Sequence, residues 1–250
     1  YEEDNWVDDM ELGAMELYLF TGDRSYYDQA IEYARREPVT PWMGADSARH
    51  YQWYPFMNMG HYHIAKNGNE RVNKEFVRNL RTGIERTLEK AMESPYRHGI
   101  PYIWCSNNLT TAMLTQCRLY RELTGDDTYA EMEASLRDWL FGCNPWGTSM
   151  IVELPAHGDY PSQPHSSYLN AGKGNTTGGL VDGPVYFNIF KHLEGVNMDG
   201  IPNRPGDDYA RFQPDLMVYH DAIGDYSTNE PTMDGTACLI FPFAAYEAEA

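Results

Sequence analysis

The chain has 250 residues, of which 42% are hydrophobic and 14% aromatic, and its 37 acidic against 19 basic residues leave a formal net charge of −18. A surface this acidic repels nucleic acid and anionic membranes and suits neutral or cationic ligands. The apolar fraction suffices for one large globular domain, residues 1–250, with a sizeable core. No apolar run approaches the roughly 20 residues needed to span a bilayer. The chain shows no signal peptide: Tyr1 opens straight into Glu-Glu-Asp-Asn-Trp, and reads as a chain entered partway through. The 19 tyrosines and 6 tryptophans offer flat faces for sugar rings, although tyrosines also fill cores. Cys105, Cys117, Cys143 and Cys238 are widely spaced with no Cys-x-x-Cys pair. They read as buried free thiols, a disulfide being the lesser alternative.

In chain order, residues 5–20 predict a helix whose apolar side carries Trp6, Met10, Leu12, Leu17 and Phe20. Thr21-Gly22-Asp23 ends it. A second helix follows over Ser25–Arg36, with Tyr26, Ala30 and Tyr33 inward, and Pro38 and Pro41 stop it. Residues 49–66 are rich in aromatics (Tyr51, Trp53, Tyr54, Phe56, Tyr62) and carry His50, His61 and His63. His61 and His63 are two apart and face apart on a helix, and no third ligand stands at metal-site spacing. We therefore expect no metal there. A long charged helix covers 69–92, its opposite-sign pairs marking a solvated face. After His98–Asn108 come helices to Leu123 and from Tyr129 to Phe141. The run Leu119-Tyr120…Thr124-Gly125-Asp126…Tyr129 echoes Leu17-Tyr18…Thr21-Gly22-Asp23…Tyr26, which suggests a repeated helical hairpin. Residues 143–230 are rich in Gly, Pro, Asn, Asp and Ser, with short candidates such as Val185–Leu193. A connection this long in a compact domain is usually functional. A last helix runs from Pro231 to about Glu249.

The stretch 219–237 concentrates the chemistry. Asp221, Asp225, Glu230 and Asp234 are interleaved with Tyr219 and Tyr226, and Pro231 is suited to the first turn of a helix. One reading is a cap, with Asn229 and Glu230 accepting the free N–H groups of that turn. The other is a general acid among carboxylates, whose pKa burial and like charge would raise.

This stretch resembles the C-terminal active-site signature of glycoside hydrolase family 9, the cellulase-type inverting β-glycanases. The pattern runs aromatic-x-Asp, four residues, aromatic, three residues, Glu, x, small hydroxyl or Ala, three residues, Asn, small. Tyr219, Asp221, Tyr226, Glu230, Thr232 and Ala237 match it, and Thr236 stands in place of the Asn. Asn144-Pro145-Trp146-Gly147-Thr148-Ser149 resembles the family's Asn-Pro-x-Gly-x-Ser. Pro164-His165-Ser166-Ser167 keeps the histidine of Pro-His-x-Arg but has Ser167 for the arginine. Gly178–Pro184 resembles Leu-x-Gly-Gly-Pro, and Trp104-Cys105-Ser106-Asn107 resembles Trp-Gly-Ser-Asn. No Asp-Ala-Gly-Asp, the family's general-base motif, occurs in residues 1–218. Asp221–Asp225 looks a little like it but lies within the C-terminal signature.

The resemblance implies an all-α fold, an (α/α)6 toroid or barrel of which this chain is the C-terminal portion, with a long loop-rich insertion before the last helix. It implies hydrolysis of β-1,4-glycosidic bonds in a β-glucan oligo- or polysaccharide with inversion, and a secreted or periplasmic location. Glu230 is then the proton donor and, with Asp221, the catalytic candidate. His165, Tyr226, Trp104, Asn107 and Asp225 are the substrate-binding candidates. An inverting pair needs a second carboxyl roughly 6.5–9.5 Å away to hold the attacking water. Asp8, Asp9 and Asp46 are the conceivable substitutes for the absent base. No cofactor is expected; the acidity permits a structural calcium, but no loop has its ligand spacing. Two rivals stand beside this reading: a glycan-binding or scaffold remnant without catalysis, and another α/α-toroid polysaccharide-active enzyme such as a lyase.

Overall fold

The computed structural model describes residues 6–44, 56–166, 172, 174–193 and 209–249. His50, Tyr51, Trp53, Tyr54, Asp46 and Ser167 lie outside these residues. Among those described are helices α1 (Val7–Thr21), α2 (Arg24–Ala34), α3 (Phe56–Asn67), α4 (Glu70–Ala91), α5 (Ser106–Thr124), α6 (Ala130–Leu140), α7 (Phe187–Leu193) and α8 (Met233–Glu249), with two short strands, β1 (Val185–Tyr186) and β2 (Met217–Val218). The chain forms two compact units. One comprises residues 1–99 and 112–133, the other 100–111 and 134–250, so that α5 and α6 each contribute to both.

In the first unit, α1 packs on α2 and α3, and α3 on α4. Their core joins Met15, Tyr27, Ile31, Ile64, Val72 and Phe76. The long α4 follows the expected pattern. Asn69 caps it by accepting the Val72 N–H. Val72, Phe76, Leu80 and Ile84 form its buried stripe, and Arg81 and Glu85 pair at 2.8 Å on the half-exposed side.

Helix α1 is turned over relative to the sequence expectation. Trp6, Met10, Leu17 and Phe20 are exposed, while Asp8, Glu11, Ala14 and Met15 face inward. Asp8, Asp9, Glu11 and Glu16 are spread among the apolar residues of the helix, so periodicity could not choose a side. One interaction decides it: Glu11 meets His61 of α3 at 2.6 Å (Oε1 to Nδ1) with both side chains buried. In α2 the register slips by one position: Tyr27, Ala30, Ile31 and Ala34 are buried, while Tyr26 and Tyr33 are half-buried.

The two Thr-Gly-Asp turns have the same local geometry. Thr21 and Thr124 each donate Oγ1 to the carbonyl four residues back, Leu17 and Tyr120, at 2.7 Å. Gly22 and Gly125 take φ of 72° and 69°, the left-handed conformation that ends a helix. The amides of Asp23 and Asp126 then donate to the threonine oxygens at 3.1 Å. Each aspartate in turn accepts the amide two residues on, from Ser25 and Thr128. The echo in sequence is therefore a repeated hairpin turn.

The second unit is built around Trp139, Leu140, Trp146, Met150, Ile151, Leu180, Val181, Tyr219 and Leu239. Its long connection is tied by backbone pairing. Strands β1 and β2 are antiparallel, with Val185 opposite Val218. Isolated bridges join Ile151 to Leu180 and Val181 to Pro231. The four cysteines are free. Only Cys117 is fully buried, and Cys143 is exposed, against the expectation that all four are enclosed.

Candidate active site

The site is assembled in the second unit from two paired strips of chain, 180–183 and 228–232. The amide of Thr232 donates to the Leu180 carbonyl at 3.2 Å, that of Asp182 to the Glu230 carbonyl at 3.0 Å, and that of Gly183 to the Thr228 carbonyl at 3.0 Å. Thr236, where the signature has asparagine, supports the pairing: its Oγ1 accepts the Leu180 amide at 3.0 Å. The main chain of Glu230 is thereby held, while its side chain is exposed. Helix α8 begins at Met233. Pro231 is used in the bridge to Val181 and does not open the helix as the sequence suggested. Asn229 does not cap it either. Its amide Nδ2 donates to the Gln163 carbonyl and to Asp221 Oδ1, and its Oδ1 accepts from the Tyr219 hydroxyl at 2.9 Å.

Asp221 organises the loop that carries His165. Its Oδ2 accepts from the amide and hydroxyl of Ser162 at 2.8 and 2.7 Å, and its Oδ1 from the Gln163 amide at 2.8 Å. With Asn229 added, both carboxylate oxygens are engaged. Asp221, expected beside Glu230 as a catalytic group, is held by four hydrogen bonds and keeps part of its surface open to solvent. His165 donates its backbone N–H to the Asn229 carbonyl at 2.9 Å, which brings it to the residue next to Glu230. Its Nδ1 lies 2.7 Å from the Ile223 carbonyl. A carbonyl only accepts, so Nδ1 carries a proton, and in the neutral ring Nε2 is the acceptor.

Trp104, Tyr226 and His165 form an aromatic row. Trp104 and Tyr226 are stacked with centroids 5.9 Å apart and 18° between planes, and Tyr226 meets His165 edge-on at 6.1 Å. Trp104, Tyr226 and His165 are each half-buried.

Two candidates are differently placed. Asp225 is fully enclosed. It accepts from the amides of Ser227 and Thr228, from both their hydroxyls, and from His220 Nδ1 at 2.8 Å. A carboxylate with five donors and no exposed surface shapes the loop and does not face a ligand. Asn107 is also buried. Its amide N–H donates to the Asp182 carbonyl at 2.9 Å and its Nδ2 to the Val181 carbonyl at 2.8 Å. It underpins the strip opposite Glu230 and offers no surface to substrate.

Sequence reasoning passed over Asp182, which it treated only as part of a loop-shaping segment. Asp182 is 2% exposed, and the Cys105 thiol donates to its Oδ1 at 3.3 Å. Burial pushes its carboxyl well above the usual range; the Cys105 thiol pulls the other way, and Glu230, Asp234 and Asp225 add to the push. An aspartate between Val181 and Gly183 in a segment paired with the signature was the only available signal. The Glu11–His61 pair of the first unit was also missed. Burial pushes Glu11 up against the pull of His61. For His61, burial pushes down, but Glu11 and the Pro38 carbonyl outweigh it and the net direction is up. Both directions keep a proton between the two side chains.

Of the substitutes for a general base, Asp8 is buried on α1 and Asp9 is exposed, both in the first unit. Among the described residues no helix is long and apolar enough to cross a membrane.

The sequence model of Glycosyl hydrolase family 9 matches residues 1–243, and the chain belongs to that family. Solved structures agree on the fold. A metagenome-derived glycoside hydrolase family 9 endoglucanase superposes with a TM-score of 0.71 at 22% identity, covering 98% of this chain and 41% of its own. AaCel9A, solved with cellobiose-like isofagomine, gives 0.69 at 21% identity, covering 100% of this chain and 44% of its own. An endoglucanase of the termite Nasutitermes takasagoensis gives 0.63 at 17%, covering 100% and 52%. No curated protein matches. The chain thus spans about half or less of these structures, and its fold is the C-terminal portion of the family's (α/α)6 barrel.

Proposed function

We propose that this chain is the C-terminal part of a single catalytic domain that hydrolyses β-1,4-linked glucan with inversion, acting outside the cytoplasm. Glu230 protonates the leaving oxygen. His165 and Tyr226 border the cleaved bond, and Trp104, stacked on Tyr226, extends the aromatic face on which sugar rings lie. Asp221 orients the His165 loop, while Asn107 and Asp225 hold the strips that carry Glu230. The observation that supports this most is the fixing of Glu230: its carbonyl accepts the Asp182 amide, the carbonyl of the residue before it accepts the His165 amide, and its side chain is exposed. A general acid must be presented rigidly to a bond that is held elsewhere.

Reducing-sugar release from soluble β-1,4-glucan tests the reading. In Glu230→Gln the shape stays and the proton goes, so turnover should fall by roughly 10²–10⁴-fold, the usual contribution of a general acid. Equal turnover in parent and variant would remove Glu230 from the mechanism. Glucan binding without hydrolysis in the parent would identify a binding protein, and an ultraviolet-absorbing unsaturated product a lyase.

A further inference from the structure

We infer that Asn229 is the positioning residue that holds His165 and Glu230 in register, joining the loop that carries the histidine to the strip that carries the glutamate. The inference rests on the reading of Glu230 as the acid and names the side chain that sets where it stands relative to His165.

Asn229 has no exposed surface and so does not meet substrate, yet each of its polar groups is used. Its backbone N–H donates to the Asp225 carbonyl at 3.1 Å, and its carbonyl accepts the His165 N–H at 2.9 Å. Its Nδ2 donates to the Gln163 carbonyl at 2.9 Å and to Asp221 Oδ1 at 3.1 Å. Its Oδ1 accepts from the Tyr219 hydroxyl at 2.9 Å. One residue thus binds the segment 162–165, the segment 221–225 and Tyr219. The next residue in the chain is Glu230, whose carbonyl accepts the Asp182 amide.

The neighbours dictate how the side-chain amide is turned. A carbonyl oxygen and a carboxylate oxygen both accept, so the atom between Gln163 and Asp221 must carry two hydrogens. That atom is the nitrogen, which leaves Oδ1 toward Tyr219 and makes the tyrosine hydroxyl the donor. Tyr219 is itself fully buried, and its ring packs against Trp146 and Tyr209. Gln213 accepts the Tyr219 N–H and donates to the Tyr219 carbonyl. Asn229 is therefore anchored to the core of the second unit as well as to the loops that it joins.

Both fixings of His165 lead back to this residue. Its main chain is bonded to Asn229 directly. Its ring is bonded to the Ile223 carbonyl at 2.7 Å, and Ile223 lies between Asp221 and Asp225, which are both bonded to Asn229. Loss of the Asn229 side chain breaks the bonds to Gln163, Asp221 and Tyr219 together and loosens the histidine segment from the strip. A displacement of about 1 Å at a reacting centre lowers a rate by about 10²-fold.

Variants of the full chain test it, read by hydrolysis of soluble β-1,4-glucan and by backbone hydrogen exchange over residues 162–165. Asn229→Leu keeps the approximate shape without polar atoms. Its kcat and kcat/KM should fall together by about 10²-fold at every pH, the pattern of lost transition-state alignment. The titratable residues bonded to or adjoining position 229 are Asp221, Tyr219, Asp225, His165 and Glu230. In Asn229→Asp the new carboxylate faces that of Asp221 and the Gln163 carbonyl, and like charge and burial raise its pKa. Once protonated it donates to Asp221 Oδ1 while its other oxygen still accepts from Tyr219. Turnover relative to the parent should therefore climb as pH falls, a rescue that a merely structural loss does not give. Exchange over 162–165 should be faster than in the parent in both variants, and in Asn229→Asp should approach the parent's at acid pH. If these variants fail to fold, Tyr219→Phe removes a single donor and should lower kcat by about three- to tenfold, the usual contribution of one neutral hydrogen bond. Parent-like turnover in Asn229→Leu, or in Tyr219→Phe where it replaces the others, would overturn the inference. So would a pH-independent ratio in Asn229→Asp or parent-like exchange over 162–165. A parent without hydrolysis would reject the reading of Glu230, and the exchange comparison alone would then decide whether Asn229 ties the histidine segment to the strip.

Discussion

Asp8 illustrates what a buried side chain contributes when its helix faces the unexpected way. It is 7% exposed on the inward side of α1. Burial, with help from Asp9 and Glu37, raises its pKa from 3.8 to about 7. An acid with a raised folded-state pKa binds more protons folded than unfolded between those two values. Stability therefore declines as pH rises from about 4 to about 7, and the penalty is complete above 7. Asp8→Asn carries no such penalty. Urea unfolding at several pH values should show the variant gaining on the parent across this window, by up to about 4 kcal/mol at pH 8. No gain would mean that Asp8 is ionised without cost in the fold. Asp225 is equally enclosed, but five donors are arranged around its carboxyl group.

At the scale of elements, the decisive unit is the pair of strips 180–183 and 228–232, because it converts a loop-rich segment into a fixed mount for Glu230. Gly183 shows how little room there is. Its φ is +90°, and a Cβ at this position would come within 2.4 Å of the Asn107 side chain. Asn107 in turn holds the Val181 carbonyl. Gly183→Ala should cost about 2–4 kcal/mol and reduce turnover well beyond what the stability loss explains, with helix content by circular dichroism unchanged. Wild-type turnover in that variant would show that the strips do not set the position of Glu230. The hairpin turns at Thr21-Gly22-Asp23 and Thr124-Gly125-Asp126 were legible in the sequence because each is closed by its own threonine and aspartate. The strips were not, because the bonds that pair one with the other join residues dozens of positions apart.

For the molecule as a whole, net charge and apolar surface pull in different directions. The charge of −18 favours solubility. Helix α8 nevertheless presents Met233, Ala237, Ile240, Phe241 and Ala244 to solvent, at the i, i+4, i+7, i+8 spacing of one face. Met233 is 91% and Ile240 69% exposed. Such a stripe promotes association. Ile240→Glu should lower self-association in sedimentation velocity and leave folding stability within about 0.5 kcal/mol. Equal sedimentation of parent and variant would show that this face is not adhesive.

Sequence by itself determined the family and the helical-hairpin plan, because these are written in contiguous residues: a spaced signature, turn chemistry and period 3.6. Tertiary structure alone decided which side of α1 is buried, since apolar and acidic residues are mixed round that helix and the choice fell to the Glu11–His61 contact. It alone separated Asp225, enclosed among five donors, from Asp221 and Glu230, which reach solvent. It alone placed Asp182 opposite Glu230. Burial and long-range pairing set those differences, and neither is a property of the local sequence.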